Sequence, residues 1–327
     1  MSALLEVEDL AIHFPVGAKS WGQPQRLLRA VDGVSLHVEA GETLGIVGES
    51  GCGKTTLGRA ILRLSLPTHG TIRLDGVDLT RAQGEQLAPM RRAFQAIFQD
   101  PFGSLNPRMR VQDIIAEPLV NLRWERDRIA SRVTEVMGIV GLPAEYATRY
   151  PHAFSGGQRQ RIGIARALAP SPRLIVCDEA VSALDVSIQA QILNLLKDVQ
   201  NEFGVAYLFI SHNLAVVRHL SHRVAVMYLG QVVELSDEPG LFAAPLHPYT
   251  ASLIAAVPEP DPTRAWGRPA LEGDLPSAMS PPSGCRFRTR CPIAADRCTH
   301  EVPALIQQAP GRWIRCHFPG TYHPELT

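Results

Sequence analysis

The segment GESGCGKT, Gly48 to Thr55, restricts what this chain can fold into more than any other. It matches G-x-x-x-x-G-K-[ST], follows the apolar run TLGIV, and opens TTLGRAILRL, whose apolar residues recur at helical spacing. Strand, glycine-rich loop and helix in that order make a phosphate cradle. The glycines let the backbone turn tightly and aim successive N–H groups at one centre. The helix N-terminus adds partial positive charge at the same point. Gly48, Glu49, Ser50, Gly51, Cys52, Gly53, Lys54, Thr55 and Thr56 are therefore expected around a nucleotide, with Lys54 on the β- and γ-phosphates and Thr55 on Mg²⁺. A plain Gly-rich turn is the alternative, and the flanking strand and helix count against it.

A second feature fits the same chemistry. RLIVCDE ends an apolar strand in adjacent acids. Asp178, at a strand's C-terminal end beside the phosphate loop, is placed to hold Mg²⁺ through water, and Glu179 to orient or polarise an attacking water. In isolation the same pair could be a strand end with two solvated carboxylates.

The rest of the chain supplies a scaffold for these sites. LLEVEDLAI alternates apolar and polar residues, and AVDGVSLHV and GETLGIVG continue as strands, so an antiparallel opening is expected. GTIRLDGVDLT reads as a hairpin turned at Asp75-Gly76. Residues 108–150 are mostly helical in pattern. Helices and strands then alternate through GQRQRIGIARALA, RLIVCDE, SIQAQILNLLKDVQNEF, VAYLFISH, NLAVVRHL and RVAVMYLG, the pattern of a parallel α/β sheet. From Pro245 the composition shifts: Pro258, Pro260, Pro262, Pro269, Pro276, Pro281 and Pro282 suggest a linker to a small terminal module. No tandem repeat is visible.

The 327 residues are 45% hydrophobic with a formal net charge of zero, ample for a sizeable core and without the basic excess that nucleic-acid binding favours. There is no apolar run of the roughly twenty residues a membrane helix needs. The opening MSALLEVEDLAIHF lacks a basic then apolar pattern, so it is not expected to be a signal peptide, and a cytosolic location is expected.

FSGGQRQRIGIARAL, Phe154 to Leu168, strongly resembles the signature segment of the ABC ATPase family. Its Ser155, Gly156, Gly157 and Gln158 open a helix and form a second anion-binding start. One chain cannot bring both starts to one nucleotide, but two chains head to tail can. The resemblance therefore implies a dimer with ATP sandwiched between the phosphate loop of one chain and the signature of the other. It assigns Gln99 to γ-phosphate sensing, Mg²⁺ and contact with a membrane subunit. Asp185 of SALD falls at the dimer seam, His212 on the γ-phosphate, and Phe14 on adenine. The implied fold is an α/β P-loop NTPase: a RecA-like core with an N-terminal antiparallel β subdomain, a helical subdomain about 102–160, and a small Cys-rich C-terminal extension. The domains fall at 1–250 and 251–327.

FQDPFGSLNPR, RYPHAFSGGQRQR, VSALDVSIQAQILNLL, VMYLGQVVE and HPYTASLIAAVP resemble the ATPases of dipeptide and oligopeptide importers, and among these the second of the paired ATPases. That likeness implies ATP hydrolysis driving peptide import from the cytoplasmic face of the membrane. It also implies two permease-type transmembrane subunits, a second and different ATPase, an extracytoplasmic peptide-binding protein, and no nucleic acid. Two positions depart from the family pattern: Ala180 stands where proline is usual, and Asn213 where aspartate is usual. Rival readings are an importer of nickel or another small solute, a soluble ABC protein acting on DNA or ribosomes, and a non-hydrolysing partner. The last is opposed by intact Lys54, Asp178, Glu179 and His212.

Cys285, Cys291, Cys298 and Cys316 crowd the tail, and in a cytosolic chain such a set points to a metal or cluster rather than disulfides. The gaps are wider than those of most zinc sites, so four thiolates on an iron–sulfur cluster are expected, with Zn²⁺ as the alternative. The importer resemblance implies [4Fe–4S]. Arg286, Arg288 and Arg290 lie among these cysteines and are expected to form a solvated face, with an acid-binding patch as the alternative.

Overall fold

Among the described residues, two sheets enclose two hydrophobic cores. The structure, a computed structural model, describes residues 3–17, 25–87, 89–100, 103–257, 271 and 273–324. Phe102, at the start of the expected helical subdomain, and Pro258, Pro260, Pro262 and Pro269 of the expected linker lie outside the described residues.

The chain opens with β1 (Leu5–Val16), β2 (Arg26–Val38) and β3 (Thr43–Val47), then α1 (Lys54–Ile61), β4 (His69–Leu74), β5 (Val77–Asp78) and β6 (Phe94–Ile97). Among the described residues β2-β1-β4-β5 form an antiparallel sheet. Its hairpin pairs Leu74 with Val77, and Asp75 and Gly76 both take positive φ, as a two-residue turn of matching twist requires. β3, expected to continue the antiparallel opening, instead leaves it and lies parallel between two strands of the second sheet. Its burial explains the move. Every residue of TLGIV is buried, so the strand needs cover on both faces.

The chain continues through α2 (Val111–Asn121), α3 (Arg126–Ile139), α4 (Gly156–Leu168), β7 (Leu174–Asp178), α5 (Val186–Phe203), β8 (Ala206–Ile210), α6 (Leu214–Leu220), β9 (Arg223–Tyr228) and β10 (Gln231–Asp237). It ends in α7 (Glu238–Ala243), α8 (Pro248–Ala255), α9 (Asp296–His300), β11 (Ile306–Ala309) and β12 (Arg312–Ile314). The second sheet runs β11-β12-β10-β9-β3-β8-β7-β6 among the described residues, parallel from β9 to β6 and antiparallel beyond. Alternate residues of its strands feed two cores. Leu174 and Val176 pack with α1 and the antiparallel sheet, while Ile175 and Cys177 pack with α2, α4 and α5.

This topology gathers the chemistry. Parallel strands point the same way, so the C-terminal ends of β3, β7, β8 and β6 deliver Gly48, Asp178, Ser211 and Phe98 to one edge of the sheet.

Candidate functional site: a phosphate loop and a catalytic trio

The phosphate loop leaves β3 at Gly48 and enters α1 through Gly53, which takes the N-cap position. Gly48 has φ +150°, and a Cβ there would lie 2.2 Å from the Met227 carbonyl oxygen. Gly53 has φ +108°, and its Cβ would lie 2.1 Å from that of Ala30. Both positions exclude side chains by conformation and by space. Lys54 is 5% exposed, and its ammonium donates to the carbonyls of Gly48 at 2.7 Å and Glu49 at 2.9 Å. Its charge is thus folded over the loop. Ser50, Gly51 and Thr55 are exposed at the loop surface, Thr56 is half-buried, and Cys52 is buried with its thiol pushed up by burial.

Thr55 Oγ1 donates to Asp178 Oδ1 at 3.0 Å, which ties α1 to the end of β7. Burial raises the Asp178 carboxyl above its ordinary range, against the lowering pull of that hydrogen bond. A hydroxyl and a carboxylate whose charge burial disfavours form an oxygen-only site where a divalent cation would favour ionisation. The residues present therefore fit Mg²⁺.

Glu179 follows in the left-handed region at φ +51°, a conformation that costs a non-glycine residue about 1–2 kcal/mol. Its backbone N–H donates to Ile210 O at 2.9 Å, and its carbonyl accepts from the N–H and hydroxyl of Ser182. The strained turn aims the carboxylate sideways along the sheet edge. Oε1 meets His212 Nδ1 at 3.1 Å, and Oε2 accepts from Gln99 Nε2 at 2.9 Å. Three residues from the ends of three neighbouring strands thus meet in one hydrogen-bonded group.

The signature segment behaves as a helix start. Ser155 caps α4, with its hydroxyl accepting from Gln158 N at 3.3 Å and the Gln158 amide oxygen accepting from Ser155 N at 3.1 Å. A Cβ at Gly157 would fall 2.6 Å from Ile188 Cγ2, so close packing of α4 on α5 accounts for that glycine, while Gly156 has ordinary room. Asp185 caps α5, accepting from Ile188 N at 2.9 Å and from the Ser187 hydroxyl at 2.8 Å. Phe14 lies on β1 opposite Leu28 with 39% of its surface exposed.

Comparison with known proteins agrees with this geometry. Residues 31–182 match the family described as ABC transporter, and residues 233–298 match the one described as Oligopeptide/dipeptide transporter, C-terminal region. The oligopeptide transport ATP-binding protein OppF of Salmonella typhimurium is 52% identical over 308 residues, 92% of this chain and 92% of that protein. The chain belongs to the ABC transporter ATP-binding family. The oligopeptide transport ATP-binding protein AppF of Bacillus subtilis is 49% identical over 96% of this chain and 97% of its own length. Among solved structures, cbiO1 of Clostridium perfringens, part of an ABC transporter complex, matches 74% of this chain and 92% of its own with a TM-score of 0.64 and 25% identity. A dimeric ATP-binding cassette in a post-hydrolysis state with ADP and Pi matches 72% of this chain and 98% of its own with a TM-score of 0.62 and 26% identity. The protein is thus an ABC-type ATPase with the family's P-loop fold.

Within this ABC ATPase the two departures from the family pattern are absorbed locally. Asn213 caps α6, its side chain accepting from Ala215 N at 3.0 Å and Val216 N at 3.4 Å, as an aspartate in its place would. Ala180 is buried, and its small side chain fits the turn after Glu179.

The tail corrects one expectation and fails to support another. Arg286 and Arg290 do not form a solvated face. Arg290 is 4% exposed and holds Glu49 with both guanidinium arms, at 2.6 and 3.0 Å. Arg286 pairs with Asp32, which also meets His13 at 2.8 Å, and donates to Leu229 O. Arg288 stays local, donating to Ser283 O at 2.9 Å. The acid at the second position of the phosphate loop was the signal that a cation must come from elsewhere. Four cysteines do lie near one another. Burial, reinforced by the neighbouring thiols, lifts Cys291 to about 12 and Cys316 to about 11, and burial raises Cys285 also. Yet no group of three or more His, Cys, Asp or Glu side chains among the described residues is arranged to hold a metal ion. The structure thus gives no support to the expected cluster on Cys285, Cys291, Cys298 and Cys316.

Proposed function

We propose that this chain is the ATP-hydrolysing subunit of an importer of di- and oligopeptides, working at the cytoplasmic face of the membrane. The observation that carries the reading is the joining, in one chain, of a region matching the ABC transporter family to a C-terminal region of the oligopeptide/dipeptide transporter type. Full-length similarity to two oligopeptide transport ATP-binding proteins supports it.

In this reading Gly48 to Thr56 cradle the phosphates, and the Lys54 ammonium swings from the loop carbonyls onto the β- and γ-phosphates. Thr55, Asp178 and Gln99 would hold Mg²⁺, which when bound would neutralise phosphate charge. Glu179 takes a proton from the attacking water, while His212 and Gln99 position that water and carboxylate against the γ-phosphate. Ser155, Gly156, Gly157 and Gln158 act on the nucleotide of a partner ATPase, Asp185 lines the seam, and Phe14 stacks on adenine. A cavity of about 550 Å³ beside Gln99, lined by Phe98, Asp100, Glu117 and Arg166, is the groove for a short helix of a permease subunit. The partners are two permeases, a second and different ATPase, and a peptide-binding protein outside the membrane. Iron, sulfide and zinc analysis of anaerobically purified chain tests whether Cys285, Cys291, Cys298 and Cys316 hold a [4Fe–4S] cluster or Zn²⁺.

The deciding experiment is purification from the native membrane in detergent, with identification of every companion subunit. Two permeases, a second ATPase and a peptide-binding protein are expected. Recovery with ribosomes or DNA-repair factors and no membrane protein would sink the transport reading.

A further inference from the structure

The phosphate loop of this chain carries an acid where it must receive a polyanion. Glu49 lies between Gly48 and Ser50, and its carboxylate adds a negative charge at the loop. Lys54, the cation of the loop itself, donates to the carbonyls of Gly48 and Glu49 and is expected on phosphate when nucleotide binds. The compensation comes from more than two hundred residues away. Arg290 reaches in from the tail and grips both carboxylate oxygens in the bidentate geometry that suits guanidinium and carboxylate. The same residue is held a second time: Glu49 N donates to Tyr249 Oη at 2.9 Å, and Tyr249 belongs to α8. Tyr249, Tyr228 and Phe287 pack ring against ring at 4.8 to 5.4 Å, so the chain just before Arg290 and the tyrosine are fixed to one another.

We propose that Arg290 is a positioning residue of the nucleotide site, neutralising Glu49 so that the phosphate loop can accept MgATP. The tail is thereby a working part of the cradle. The inference rests on the nucleotide reading of Gly48 to Thr56 and extends it to a residue outside the ATPase motifs. Its consequence is electrostatic. With Arg290 removed, Glu49 leaves an uncompensated negative charge on the phosphate loop; with both charges removed, that repulsion toward the triphosphate is gone.

The test uses the full chain and a non-hydrolysable ATP analogue with Mg²⁺, titrated at low and high salt. Arg290→Ala is expected to weaken binding about tenfold, the order expected of one added unit charge near a polyanion at a protein surface. The penalty shrinks as salt rises. Arg290→Gln, which keeps donors and much of the volume but loses the charge, behaves alike and covers the case in which alanine fails to fold. Adding Glu49→Gln to either variant restores affinity to within about twofold of the parent. In steady-state ATPase assays the loss appears in KM with kcat retained. Parent-like affinity in both single variants overturns the proposal. So does a double variant as weak as the single one, because Arg290 would then act through packing alone. Failure of the unaltered chain to bind the analogue would remove the nucleotide reading itself, a result distinct from either.

Discussion

Glu179 is held by two hydrogen bonds and a left-handed backbone, which together fix the direction of its carboxylate. Glu179→Gln keeps the volume and one acceptor while removing the base. Steady-state hydrolysis is expected to fall about 10²–10⁴-fold, with MgATP binding retained, as read by turnover assay and titration on the same sample. Retained turnover would take Glu179 out of the chemistry. Gly53 gives a contrasting case. Gly53→Ala puts a methyl group against the Ala30 carbonyl in a conformation alanine resists. Loss of nucleotide binding is expected together with about 1–3 kcal/mol of stability, seen as a lower unfolding midpoint. The two variants separate a chemical role from a geometric one. The motifs show which residues cluster at these positions. They do not show that Gln99 and His212 share the two oxygens of one carboxylate, because that depends on the ends of β6, β7 and β8 coming into line.

At the scale of elements, helix starts carry much of the site: Gly53 for α1, Ser155 for α4, Asp185 for α5, Asn213 for α6 and His247 for α8. His247 is the unusual one. Its Nδ1 accepts from Tyr249 N at 3.0 Å, and burial lowers its pKa to about 3. The unfolded chain, with an ordinary imidazole near 6.5, therefore binds more protons than the folded one between pH 6.5 and about 3. This neutral histidine contributes fully above pH 6.5, and its contribution is lost as pH falls, at no more than about 1.4 kcal/mol per pH unit. Glu234 faces it, accepting from His247 N at 2.9 Å, with Arg312 3.7 Å from its carboxylate. Burial raises the Glu234 carboxyl, so the folded state keeps that proton longer, and its effect runs the other way above the ordinary carboxylate value. His247→Asn, which replaces the Nδ1 acceptor with a capping amide oxygen, is expected to flatten the acid limb of stability against pH without moving the neutral plateau. Unfolding midpoints from pH 4 to 8 check it, and an unchanged acid limb would reject the assignment. HPYT stood out in the sequence as a likeness to importers. Its physical content was hidden there, because a cap, a buried neutral ring and a hydroxyl holding the phosphate loop all depend on contacts far away in the chain.

At the scale of the whole molecule, the order of helices and strands from α4 to β9 was legible, since apolar runs buried on both faces alternate with amphipathic helices. The fate of the tail was not. The four residues of β11 are all exposed and β12 has only three, too short and too polar to register as strands against a proline-rich background. Yet β12 pairs with β10, extending the main sheet, and Phe287 is 1% exposed in the same core as Tyr228 and Tyr249. A tail folded apart and joined by a linker would unfold on its own. A tail sharing the core should not. Phe287→Ala removes the ring that contacts both tyrosines, and costs of that kind run about 3–5 kcal/mol. We expect calorimetry of the full chain to give one transition, shifted as a whole to lower temperature by this substitution. A small separate transition that moves while the main one stays fixed would restore the independent module. Because Phe287 lies three residues before Arg290, the same substitution should also weaken MgATP binding at temperatures where the chain is fully folded. The sheet, the aromatic cluster and the phosphate loop would then respond together, as parts of one cooperative structure.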